Sequence, residues 1–168
     1  MRGWAVVCED ESIFTHDSLV RYVWAKRGSR PMVLATGSHR RTCLFGALSI
    51  DGRQLFRQYA NVDGENFLAY LKELKRKFSP MLLFLDRSSP HRVDEDVRDY
   101  LLENCDSIEV MWLPRARPEL NPVEGCWNLL KDELMANRLH PTFEEMERAI
   151  GQRIRTKRFR LNVTNYLC

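Results

Sequence analysis

The chain has 168 residues, enough for one domain with its own hydrophobic core. Hydrophobic residues make up 44% and charged residues 29%, which excludes a disordered chain, and no apolar run is long enough to cross a bilayer. A net charge of +3 neither identifies nor excludes a nucleic-acid partner, because binding depends on where the cations sit.

Met1-Arg2-Gly3-Trp4 runs straight into a strand-like segment, without the apolar stretch and cleavage site of a secretion signal, so the chain is read as intracellular. Cys8, Cys43, Cys105, Cys126 and Cys168 are odd in number and widely spaced, with no C-x-x-C pair. Reduced, buried thiols are therefore expected, with neither a disulfide framework nor a zinc site.

Val6-Val7-Cys8 reads as a strand that ends in the carboxylates Glu9-Asp10-Glu11. Alternation puts Val6, Cys8 and Asp10 on one face and Val7, Glu9 and Glu11 on the other. Residues 12 to 31 are basic and irregular, with Arg21, Lys26, Arg27 and Arg30 around Trp24 and Gly28, and Met32 to Thr36 is a candidate short strand. Cys43 to Ile50 and Gln54 to Ala60 flank Asp51-Gly52, a strong hairpin signal because the tight turn needs positive φ.

From Glu65 to Phe78, the residues Phe67, Leu68, Leu71, Leu74 and Phe78 form one helical stripe, which Pro80 ends. Met81 to Leu85 is wholly apolar and stops at Asp86, the pattern of a central strand buried on both faces. Val93, Val97, Tyr100 and Leu101 mark a second helix, and Ile108, Val110 and Trp112 another strand, closed by Pro114. Asn121-Pro122 opens a helix to about Asn137. Thr142-Phe143-Glu144-Glu145 has the form of a capping box for a last helix striped by Phe143, Met146, Ile150 and Ile154. This order predicts an α/β domain with a mixed sheet and helices on both faces.

Three acidic residues stand out by placement: Asp10 near the end of the first strand, Asp86 at the end of the buried strand, and Glu124 in the first turn of a helix. If the crossover helix returns the chain beside the first strand, Asp10 and Asp86 project from neighbouring parallel strands, at the carboxyl edge where such sheets bind ligands. Three converging carboxylates repel one another unless cations neutralise them, and oxygen-only ligands favour magnesium or manganese. Two such ions, about 3.5–4 Å apart, are suited to phosphodiester chemistry.

Leu113-Pro114, Pro118-Glu119-Leu120-Asn121-Pro122-Val123-Glu124, Trp127 and Lys131 closely resemble the third catalytic block of mariner-like DDE transposases and their insertion-sequence relatives. Leu83-Phe84-Leu85-Asp86 with His91 resembles the second block, and Asp10-Glu11, Trp24, Gly28 and Gly46-Ala47 the first. The 37 residues between Asp86 and Glu124 are a separation that recurs in the superfamily. The resemblance implies an RNase H-like fold with a five-stranded mixed sheet over residues 1–168. It further implies two Mg2+ or Mn2+ ions on Asp10, Asp86 and Glu124, and cleavage and transfer of DNA strands at transposon ends and target, in the cytoplasm with the DNA. The family's N-terminal helix-turn-helix region has no counterpart here. The chain is accordingly read as a fragment, or as one product of a split element that works with a separately encoded DNA-binding subunit; a homodimer is a further expected partner.

The chain departs from the family pattern at Arg87, where Asn is usual, and at Ala116-Arg117, where an aromatic-serine pair is usual. A cation at Arg87 either holds a phosphate or weakens metal binding. Taken alone, Glu124 suits helix capping as well as catalysis, with Asn121 as N-cap and Pro122 at N1, and a lone Asp86 would cap a turn. The motif blocks favour the metal-binding role for both, and alternation favours Asp10 over its acidic neighbours. His91 and Asn121 are given supporting roles, and Trp127 is read as a core anchor. Arg115, Arg117, Lys131 and the tail cations Arg153, Arg155, Lys157, Arg158 and Arg160 are candidate phosphate contacts, weighed against a solvated surface. Two other readings remain: a catalytically silent remnant that binds DNA or itself, and a nuclease of the same fold that only hydrolyses.

Overall fold

A computed structural model describes residues 3–86, 94–115 and 117–159. Five strands form one sheet in the order β3-β2-β1-β4-β5: β1 (Ala5–Thr15), β2 (Arg41–Ser49), β3 (Gln54–Tyr59), β4 (Met81–Leu85) and β5 (Ile108–Trp112). β1, β2 and β3 pair antiparallel, whereas β1–β4 and β4–β5 pair parallel. The helices are α1 (Gly64–Phe78), α2 (Glu95–Glu103), α3 (Pro122–Leu134) and α4 (Phe143–Thr156), and a short 3-10 turn, Pro118–Leu120, precedes α3. No helix among the described residues is long and apolar enough to cross a membrane.

The local causes are those the sequence carries. Gly52 takes positive φ (84°) in the β2–β3 turn, where Asp51 accepts from the Arg53 amide. Asp63, Asp94, Asn121 and Thr142 each cap a helix by accepting a first-turn amide. Strand alternation splits the core in two. Val7, Phe45, Ala47, Met81, Leu83 and Leu85 meet Phe67, Tyr70, Leu71 and Leu74 of α1 on one face. Cys8, Phe14, Leu44, Leu48 and Phe56 meet Val123, Trp127, Leu130, Met146 and Ile150 of α3 and α4 on the other.

Four expectations need correction. β1 does not stop at its carboxylates but continues to Thr15, because antiparallel pairing with β2 persists through Thr15↔Arg41 and Phe14 is buried beneath α3 and α4. Met32 to Thr36 forms no strand: from residue 20 to 34 the chain is an exposed arm that shows Val20, Tyr22, Trp24, Met32 and Leu34 to solvent. β4 is fully buried only on the α1 side, since Leu82 and Phe84 are half-buried on the other. Of the cysteines, Cys8, Cys43 and Cys126 are buried free thiols, as expected, but Cys105 is exposed. Burial alone pushes the Cys8 thiol up to about 12, so it is inert.

The exposed arm has firm roots. The Leu19 amide donates to Met135 O (2.9 Å) and the Asn137 amide to Leu19 O (2.8 Å). The side chain of Asn137, itself at φ 51°, accepts from the Arg21 amide and donates to Arg21 O.

Candidate active site

The last registered pair of the parallel β1–β4 ladder is Cys8↔Phe84. Asp10 and Asp86 lie equally far beyond that pair on the two strands, so they occupy matching positions at the carboxyl edge of the parallel half of the sheet. Asp10 is inside its strand by sequence yet at an edge in space, because β4 ends where β1 runs on. β5 finishes at the same edge: the Leu113 amide donates to Leu85 O (2.8 Å), and Arg115 follows, exposed.

Of Glu9, Asp10 and Glu11, only Asp10 shares a face with α3. Glu9 is fully buried on the α1 side, where its charge helps to hold the Tyr70 hydroxyl protonated, after the larger effect of burial. Two ties fix α3 against β1. Asn121 accepts from the Val123 amide as N-cap and donates from Nδ2 to Glu9 O (2.8 Å). Trp127 Nε1 donates to Asp10 Oδ2 at 2.7 Å, in the interior. Glu124 lies between these ties, half-buried on the first turn, and its amide donates to Asn121 O. The capping arrangement and a placement of Glu124 beside Asp10 therefore coexist.

The Asp10 carboxyl is pushed up to about 8. Burial is the main cause, the Trp127 N–H opposes it, and the charges of Glu124, Glu11 and Asp86 add to it. Those three acids thus act on Asp10 electrostatically. Among the described residues, however, no three acidic, cysteine or histidine side chains converge closely enough to cage an ion as they stand. The donor set is nonetheless the one a hard divalent cation uses: oxygen only, with one member driven towards its neutral form mainly by burial and further by the neighbouring acids.

The other predicted residues are scattered. Arg117 pairs with Glu119 (3.2 Å), both exposed. Lys131 lies over the Phe14 ring, 5.4 Å from its centroid, beside a small cavity of about 230 Å³ lined also by Thr15, Asp17 and Met135. Arg153 (2.7 Å) and Lys157 both pair with Glu133, so two of the tail cations are already partnered, whereas Arg155 and Arg158 are exposed. Arg87, His91 and Arg160 lie outside the described residues. Trp127 is buried as expected, but its bond to Asp10 was not foreseen. The only available signal was its place one helical turn after Glu124, on the same side of α3.

The fold and this edge define an RNase H-like α/β domain with carboxylates gathered at the ends of its parallel strands. Residues 5–147 match the family of DDE superfamily endonucleases, and the chain belongs to that family. The matched range includes Asp10, Asp86 and Glu124 and stops short of the tail cations. Over 87 residues, half of this chain, it is 30% identical to the uncharacterized protein y4pE/y4sA of Sinorhizobium fredii (strain NBRC 101917 / NGR234), of which it covers 60%. The Mos1 strand transfer complex shares the fold at a TM-score of 0.69 and 16% identity, over 96% of this chain and 50% of that one. The Mos1 mariner paired-end complex with Mn does so at 0.67 and 15%, over 96% and 51%. The chain thus spans about half the length of the Mos1 chains it matches.

Proposed function

We propose that the chain is the catalytic domain of a transposase that cleaves DNA phosphodiester bonds and joins the freed 3′-hydroxyl to new DNA. Asp10, Asp86 and Glu124 are its ligands for two divalent cations, magnesium or manganese. The observation that carries this reading is the placement of Asp10 and Asp86 at matching positions on neighbouring parallel strands, with Glu124 tied in beside Asp10 by Asn121 and Trp127. Such ions would supply Lewis acidity to phosphate oxygens and would ease deprotonation of the attacking group at neutral pH. The protein's part is positional. Asn121 holds α3 to β1, Trp127 holds the Asp10 carboxylate, and Arg115, exposed at the same edge, suits a DNA phosphate. Arg155 and Arg158 suit sequence-independent, salt-sensitive contact with the backbone. In cleavage water attacks a phosphodiester and releases a 3′-hydroxyl, leaving a 5′-phosphate; in joining that 3′-hydroxyl attacks a target phosphodiester and displaces the target strand's 3′-oxygen. Recognition of transposon ends and their pairing would involve further sequence or a separately encoded subunit, and a second copy of the chain. The Mos1 neighbours, a paired-end complex and a strand transfer complex on chains about twice this length, support the DNA part of this reading.

Asp86→Ala tests the reading. With the fold intact by circular dichroism, manganese-dependent nicking of supercoiled plasmid is expected to fall to background. Nicking at the wild-type rate would falsify the ligand assignment. A silent DNA-binding module is the second reading, favoured by the lack of a closed three-ligand group among the described residues. It predicts that DNA is bound while manganese is not.

A further inference from the structure

We infer that Trp127 is a positioning residue for Asp10, and that Gly46 is the slot that allows it to reach; this rests on the metal-dependent reading above. Trp127 is 1% exposed at the centre of the α3–α4 core, where an aliphatic or phenyl side chain would satisfy the need for apolar volume. An indole brings in addition an N–H that must find an acceptor when buried. The acceptor here is not a backbone carbonyl but Asp10 Oδ2, at 2.7 Å. A carboxylate has about four lone-pair sites, so this donation fixes the orientation of Asp10 and leaves most of its capacity open.

The route of the ring to Asp10 crosses β2. Gly46 is the register partner of Asp10 on that strand, and its backbone lies outside the left-handed region, so its own conformation does not call for glycine. The space above it does. A Cβ at Gly46 would lie 2.5 Å from Cη2 of Trp127 and 2.5 Å from Cε1 of Phe56, closer than carbon atoms pack. Phe56, the Gly46 partner on β3, then closes on the indole edge-on, with centroids 5.6 Å apart and planes at 89°. Three strands and a helix thus contribute one residue each to an arrangement that ends on a single carboxylate oxygen.

The test is a manganese titration of the full chain by calorimetry, paired with thermal melting. Trp127→Phe keeps a ring and removes the N–H. Gly46→Ala leaves both partners intact and displaces the ring. Leu130→Ala, buried further along the same helix, controls for loss of packing alone. Trp127→Phe and Gly46→Ala are expected to weaken manganese binding roughly 10–100-fold, the usual effect of removing a group that orients a ligand. Leu130→Ala should lower the melting temperature and leave manganese affinity unchanged. Equal affinity in wild type and Trp127→Phe, or an equal loss in Leu130→Ala, overturns the inference and spares the metal reading. If Trp127→Phe does not fold, unchanged affinity in Gly46→Ala overturns it. No manganese uptake by the wild type overturns both.

Discussion

The two faces of the sheet are built from different materials. On the α1–α2 face the contacts are apolar, with the Tyr70 hydroxyl settled on Leu55 O (2.8 Å) and Glu9 buried at its margin. On the α3–α4 face the apolar cluster is threaded by directed bonds. Asn121 donates to Glu9 O, Trp127 to Asp10, and Gln54 Nε2 to Lys157 O, while Gln54 Oε1 accepts from the Phe159 amide (3.0 Å). His16 Nε2 bonds His140 O, and His140 Nε2 bonds Leu134 O, each at 2.9 Å. Apolar contact is non-directional and sets stability, whereas buried hydrogen bonds set angles and distances. Apolar burial on both faces keeps the domain folded, and the second face in addition holds α3 and Asp10 in register.

Damage to the first face should show this most strongly. Leu71→Ala, at a fully buried site on α1, is expected to cost about 2–5 kcal/mol, a fall in melting temperature of roughly 4–20 °C for a domain of this size. Manganese affinity of the fraction still folded should not change. A parallel loss of affinity would mean that the faces are not separable. Asn121→Ser works the other way. Serine keeps the helix cap but cannot reach across to Glu9 O, so one buried hydrogen bond is lost, about 0.5–1.5 kcal/mol. Here metal affinity should fall out of proportion to stability, since α3 loses one of its two ties to β1. If stability drops while affinity holds, Trp127 alone sets the site.

The apolar face was readable in advance and the polar one only in part. The α1 stripe and the Asp51-Gly52 turn each follow from a short-range rule and are found as expected, and Met81–Leu85 is the strand its run predicts, though fully buried on one face only. The caps Asn121 and Thr142 are equally local. What escaped was long-range. Glu9-Asp10-Glu11-Ser12 breaks the apolar pattern and so reads as a strand end, yet β1 runs through it because its antiparallel pairing with β2 continues to Thr15. Nothing in the sequence shows that the Trp127 N–H meets Asp10, or that Gly46 is small to admit a ring. The tail cations read as a free strip because Glu133, which holds two of them, lies a helix away.

That cluster at the rim of the polar face yields the smallest effect. Arg153 first and then Lys157, by hydrogen bonds from both sides, hold the Glu133 carboxyl at about 2, against an ordinary 4.5. A depressed carboxyl stabilises the fold fully above its unfolded value, and that contribution fades as pH falls from about 4.5 towards 2. Glu133 is about a third exposed, so solvent screening limits the gain to roughly 1 kcal/mol or less. Melting of wild type and Glu133→Gln, compared from pH 6 down to pH 3, should therefore show a gap that is constant near neutrality and narrows in acid. High salt should narrow it as well. Curves that stay parallel into acid would show that Glu133 does not hold these cations in solution. Arg153 and Lys157 would then join Arg155 and Arg158 as free cations on the end of α4, and the strip read from the sequence would be restored as a surface for phosphate.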